Sequence, residues 1–253
     1  MNKRLLASLA VPFSVALIAG CGGSSGGGDE GGGGGNGGSG NGPSVIEGTA
    51  ATGAPYTGSD TIHIICKGND DIPMIVEADA QGEFSLSQEE FNTGGSQFPC
   101  TIRLQSGQLQ SYTNQAGRVN LTPFTTLAFQ RALMDHSGQA AFGGLDVDTV
   151  DPSAFGAELN TATGNVKEAL KEASGKSSVP FDIFTEVFKA DHNSVYDRWL
   201  DGFGEAVIAD YQLPDTSFMD AFLSFPLKYA TSTDPASFEE SALSPPFSMT
   251  VPQ

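Results

Sequence analysis

Apolar residues are distributed along this chain in four ways. From Leu5 to Ile18 they form a nearly continuous run, broken only by small residues, Pro12 and two serines. Such a run is too short to span a bilayer and has the build of a secretory core segment. From residue 22 to 42 they vanish, and almost every position is Gly, Ser or Asn, with Asp29 and Glu30 as the only charges. From residue 45 to about 120 they alternate with polar residues or come in short bursts, punctuated by Gly, Pro, Asn and Asp. Beyond Pro123 they recur at the three- and four-residue spacing of helices.

The third stretch predicts strands near 45–49, 61–66, 74–78, 83–86, 100–105 and 109–113. No helical period competes there, so the expected architecture is an antiparallel β-sandwich over 43–121. The fourth predicts helices near 123–137, 159–173, 194–209 and 217–222, with a short one after Asp234-Pro235. Thr122 is placed to cap the first of these and Pro123 to occupy its first turn. The chain therefore reads as α+β, a sandwich followed by a helical region over 122–253. Its tail, from Ser241 to Gln253, is rich in Pro, Ser and Phe and reads as an extended segment that packs on the body or docks to a partner.

The beginning of the chain indicates where the protein works. Lys3 and Arg4 precede the apolar run, which ends in Ile18-Ala19-Gly20-Cys21. These residues resemble the lipobox of bacterial lipoproteins, in which small residues admit the signal peptidase and the cysteine thiol is acylated. The resemblance implies removal of 1–20, a lipid anchor on Cys21 and a lipid bilayer as partner. Gly22, rather than aspartate, after that cysteine implies sorting to the outer membrane of a Gram-negative cell envelope. Two or more acyl chains hold essentially permanently, since each buried methylene contributes about 0.8 kcal/mol. Residues 22–42 then form a tether with an r.m.s. reach of roughly 25 Å. Its glycine patterns arise from composition, with no strand before them and no helix after, so they carry no nucleotide-binding meaning.

A second resemblance lies in Gly48-Thr49-Ala50-Ala51-Thr52-Gly53-Ala54-Pro55-Tyr56-Thr57-Gly58 and in Ala78-Asp79-Ala80-Gln81-Gly82-Glu83-Phe84. These look like the opening of a carboxypeptidase-regulatory-like, transthyretin-like β-sandwich, over about 75 residues. The pattern is physically coherent: Gly53 and Gly82 permit positive φ, Pro55 presets a turn and Phe84 supplies a core ring. The junction at Thr122-Pro123 and the later run from Phe188 to Asp201 look like a helical companion region of exported bacterial proteins with this sandwich. The resemblance implies a non-catalytic accessory, adhesive or stalk module, sometimes carbohydrate-binding-like. Tyr56 and Tyr112 are the few aromatic candidates for a sugar platform, and both also suit half-buried strand or turn positions.

Thirty acidic against 12 basic residues give a formal net charge of −18. Loss of Lys3 and Arg4 with the signal makes the mature chain more acidic still. Such a surface repels nucleic acid and anionic lipid, and it suits either solubility or cation binding. Apart from Cys21 the cysteines are Cys66 and Cys100, which in an oxidising compartment form a disulfide. A metal site is the alternative, but no further cysteine or histidine stands at a usual ligand spacing.

Two chemistries are open. Asp146, Asp148 and Asp151 form an oxygen-donor cluster of the kind calcium takes. The EF-hand glycine and glutamate are missing, and Asp151-Pro152 equally suits a helix cap. Asp191 and His192 with Asp197, Asp201 and Glu205 form the second cluster. The last three are four residues apart, stacked on one helix face opposite an apolar stripe of Trp199, Leu200, Phe203 and Val207. That face is either solvated or the place where acid–base or metal work is assembled. Beyond the glycine-rich tether the nucleophile motifs are missing: no Gly-x-Ser-x-Gly, Ser-x-x-Lys or His-Glu-x-x-His occurs there, and His63, His136 and His192 are the only histidines. The expectation is a membrane-anchored, non-catalytic binding or structural module with an envelope protein or glycan as partner. A His192-centred hydrolase or metal-dependent enzyme, and a calcium-stabilised or glycan-binding adhesion module, are its rivals.

Overall fold

Short apolar runs and apolar–polar alternation underlie most of the seven strands among the residues that the computed structural model describes, 44–56, 61–69, 72–137, 144–211 and 248–252. The signal, Cys21, the tether, the helices expected at 217–222 and after Pro235, and the tail to residue 247 lie outside them. The strands are β1 (Ser44–Thr49), β2 (Ile62–Lys67), β3 (Met74–Val76), β4 (Glu83–Ser87), β5 (Gln97–Leu104), β6 (Gln110–Thr113) and β7 (Gly117–Arg118). One sheet has the order β4-β1-β7 and the other β3-β2-β5-β6. All pairings are antiparallel except the short parallel pairing of β1 with β7. In β2 the period-two rule is plain: Ile62, Ile64 and Cys66 are buried and their neighbours are half-exposed. Cys66 faces Cys100 across the β2–β5 ladder, and the two are joined in a disulfide.

Two turns depend on their glycines. Asp79 Oδ1 accepts the N–H groups of Gln81 and Glu83 at 2.9 and 2.8 Å, which fixes the bend into β4. Gly82 there has φ +78°, and a Cβ would meet the Ala50 carbonyl oxygen at 2.4 Å. Gly53 in the turn after β1 has φ +97°. Phe84 fills the core as its position in β4 predicts.

A helix absent from the expected pattern interrupts the strands: α1 (Gln88–Thr93). Its cause is a reciprocal capping box. Ser87 Oγ accepts the Glu90 N–H, and Glu90 Oε2 accepts the Ser87 N–H. The helix is short because it carries one core residue, Phe91, which stacks on Phe98 at 5.0 Å.

The later helices are α2 (Pro123–Ser137), α3 (Pro152–Ser174) and α4 (Val195–Tyr211). Thr122 Oγ1 accepts the Thr125 N–H at the head of α2. Thr125 and Thr126 turn their hydroxyls to Gln110 at the open edge of β6, where the Gln110 N–H reaches Thr126 Oγ1 at 2.9 Å. This helix covers a sheet edge that would otherwise be free to pair with another chain. Helix α3 starts seven residues before the position that apolar spacing predicts, because the Asp151 side chain caps the Ser153 and Ala154 N–H groups and Phe155 is already fully buried. Gly156 and Ser153 dilute the helical signal in that first turn.

Sheets and helices bury their apolar faces in one continuous core, from Ile46 and Ile64 through Phe124 and Phe155 to Tyr196 and Phe203. The end of the chain belongs to it: Met249 is buried and its N–H donates to the Ala173 carbonyl at 3.0 Å. Gly202 on α4 makes room for this segment, since a Cβ would lie 2.2 Å from the Thr250 carbonyl oxygen. The described architecture is thus mixed α+β, two largely antiparallel sheets with four helices. No described helix is long and apolar enough to cross a membrane.

Candidate functional site

The loop that enters α4 gathers the second acidic cluster. Ser194 Oγ accepts the Asp197 N–H at 3.2 Å, a serine cap on the first turn. In a full capping box the residue at Asp197 would reach back to the Ser194 N–H; its carboxylate reaches further, to the His192 N–H at 2.5 Å. His192 takes a left-handed conformation, φ +63°, the only non-glycine among the described residues with positive φ. A β-carbon in that region costs about 1–2 kcal/mol, so the surroundings must over-determine it. They do so through both ends of the residue. The backbone is held by Asp197, and the ring Nδ1 lies 3.1 and 2.9 Å from the two oxygens of Asp201, one helical turn on.

The turn after β1 approaches Asp201 closely from the other side, where a Cβ on Gly53 would lie 2.8 Å from its Oδ1. The three side chains differ sharply in exposure: His192 65%, Asp201 19% and Asp197 none. The expected solvated face is therefore corrected at Asp197, which the 188–194 segment covers. Asp197 Oδ1 is buried with no hydrogen-bond partner among the described residues. Burial pushes the Asp197 carboxyl up to about 6, against the His192 N–H, which favours its charged form. The His192 imidazole is raised above its ordinary value, first by its hydrogen bond to Asp201 and then by the charges of Asp201, Asp197 and Asp191.

The other members of the cluster go elsewhere. Asp191 accepts the Asn193 N–H in a turn of its own, which lowers its carboxyl. Glu205 is exposed. Trp199, Leu200 and Phe203 are core, with Trp199 edge-on to Phe181 at 5.8 Å, and Tyr196 stacks on Phe188 at 4.3 Å. The Tyr196 hydroxyl donates to the Ile183 carbonyl at 2.8 Å. The hydroxyl closest to His192 in sequence, Ser194, donates to the Lys189 carbonyl and accepts from Asp197.

Asp146, Asp148 and Asp151 each address separate backbone groups. Asp146 Oδ1 accepts the Asp148 and Thr149 N–H groups, and its carboxyl is lowered, first by the Thr149 side chain. Asp148 Oδ1 accepts the Gly68 N–H at 2.6 Å, tying this loop to the end of β2, and Asp151 caps α3. Among the described residues, the group that brings three potential ligand atoms within 4.8 Å of one another is His192, Asp197 and Asp201. His136 pairs with Glu158 at 2.9 Å between α2 and α3, and His63 contacts Thr61 at 3.2 Å.

Among the described residues, cavities also lie away from this cluster. One, about 220 Å³, opens between β5–β6 and the 144–147 loop. Another is a groove of about 330 Å³ between β6–β7, α3 and residues 182–185, with Asn114, Asn160, Thr163, Arg118, Asp182 and Phe184 on its walls. Tyr112, a strand residue as its spacing suggests, is buried at its base, edge-on to Phe155; burial, with the Asp151 charge, pushes its phenol up to about 12. Tyr56 is half-buried in the turn after β1.

Sequence reasoning named all three residues of the imidazole–carboxylate group but not the burial of Asp197. The Ser194-x-x-Asp197 spacing was the available signal. It did not find the groove or the Gly53 contact, which join segments far apart in the chain. No protein-family model matches this chain, and no curated protein or solved structure matches it.

Proposed function

We propose that this chain is a lipid-anchored protein of the cell envelope whose body binds rather than turns over its partner. Cys21 carries the anchor and 22–42 the tether, as the Ile18-Ala19-Gly20-Cys21 motif implies. The two sheets then form the transthyretin-like sandwich suggested by the Asp79-x-x-Gly82 turn and the glycine-rich turn after β1. One observation carries the binding reading: the acid–base group around His192 is spent on holding the 188–194 loop to α4, while the groove beside α3 sets amides and hydroxyls among apolar residues such as Leu159 and Phe184, with Arg118 and Asp182 as its charges. Amide and hydroxyl walls with one half-buried ring suit an uncharged, hydroxyl-rich or peptide-like surface, such as an envelope glycan or protein.

In cells given a clickable palmitate analogue, the chain should take up label and sediment with membranes, and Cys21→Ala should do neither. Binding to purified envelope material should weaken by about tenfold or more in Asn114→Ala with Asn160→Ala, both exposed in the groove, and survive in Asp201→Asn. A soluble, unlabelled chain, or binding lost only in Asp201→Asn, sinks this reading, the latter in favour of His192-centred chemistry.

A further inference from the structure

The buried Asp197 oxygen is the unexplained feature of the loop. A carboxylate oxygen sealed from water with no donor costs far more than a satisfied one. Asp197 is fully buried, its Oδ2 accepts the His192 N–H, and its Oδ1 has no hydrogen-bond partner among the described residues. Asp201 stands beside it, with only the His192 imidazole as a described ion-pair partner. The nearest basic side chain in sequence, Arg198, turns its guanidinium to the Asn193 carbonyl. Two carboxylates and one ring nitrogen thus converge within 4.8 Å, and among the described residues no lysine or arginine forms an ion pair with them.

We propose that His192, Asp197 and Asp201 hold one divalent transition cation of the zinc class, which clamps the 188–194 loop to the first turns of α4. The donor set decides the class. An imidazole nitrogen with two carboxylate oxygens suits Zn²⁺, Co²⁺ or Ni²⁺, whereas Ca²⁺ and Mg²⁺ take oxygen ligands alone. The spacing supports it, because Asp197 and Asp201 lie one turn apart on the same face and His192 Nδ1 is already 2.9 Å from the Asp201 oxygen. One outer contact is of the kind such a site uses, the hydrogen bond from the His192 N–H that orients Asp197, and the Gly53 turn packs close against Asp201. This inference is independent of the groove.

The test is titration of the purified, chelator-stripped full chain with Zn²⁺ by calorimetry and with Co²⁺ by visible absorption. One equivalent should bind, with a Co²⁺ spectrum showing nitrogen and oxygen ligation, and the thermal midpoint should rise. His192→Gly, which removes the ligand while relieving the positive φ, and Asp201→Asn, which keeps volume, should each weaken binding by about tenfold or more. His136→Ala, at the other imidazole–carboxylate pair, should bind as the parent does. Circular dichroism confirms that each variant is folded. Absence of Zn²⁺ and Co²⁺ binding by the folded chain, retention of binding in both His192→Gly and Asp201→Asn, or equal competition by Ca²⁺ overturns the proposal.

Discussion

At the scale of single residues, Asp197 and His192 make stability depend on pH in one direction. Asp197 holds its proton up to about pH 6 in the folded chain, against 3.8 ordinarily. Between those values the folded state binds more protons than the unfolded, so stability falls as pH rises. The change is at most about 3 kcal/mol. His192 extends the slope: its imidazole is raised by Asp201, so its contribution is fully present below its ordinary value of 6.5 and lost as pH rises through the folded one. Urea midpoints with chelator present should therefore fall from pH 4 to pH 8. Asp197→Asn should flatten the acid half of that profile, and His192→Gly the upper half. A flat profile in the parent would contradict the burial of Asp197.

At the scale of elements, two contacts set boundaries that hydrophobic spacing alone does not. The Ser87–Glu90 box nucleates α1, and Ser87→Ala should destabilise the fold by about 1 kcal/mol in denaturant unfolding. The box is legible as Ser-x-x-Glu, but the alternating strands around it mask one and a half turns of helix. Asp151-Pro152 shows the converse case, since its cap was readable while the apolar period starts only later. On α4, Gly202 lies under the returning tail. Gly202→Ala should cost about 1–3 kcal/mol by overpacking, and residues 248–252 should become faster to cleave in limited proteolysis, which mass spectrometry of the fragments would report.

At the scale of the whole molecule, the Cys66–Cys100 disulfide and the net charge act on the entire chain. The bond closes a loop of 34 residues in sequence, and on the chain-entropy argument its removal by the double Cys66→Ala, Cys100→Ala change should lower unfolding stability by about 3–4 kcal/mol. Its pairing was readable from the cysteine count. The residues with local signals were readable too: the strand alternation, the Thr122 and Asp151 caps, the positive-φ turns at Gly53 and Gly82, and the membership of His192, Asp197 and Asp201 in one acidic run. Each is decided within a turn or two of chain, where propensity, period and capping act. Tertiary structure alone decided that Asp197 is buried rather than solvated, that Gly53 packs close against Asp201, that threonine hydroxyls of α2 seal the edge of β6, and that Met249 returns to the core. Those outcomes arise where distant segments compete to exclude the same water, and no local pattern records which of them meet.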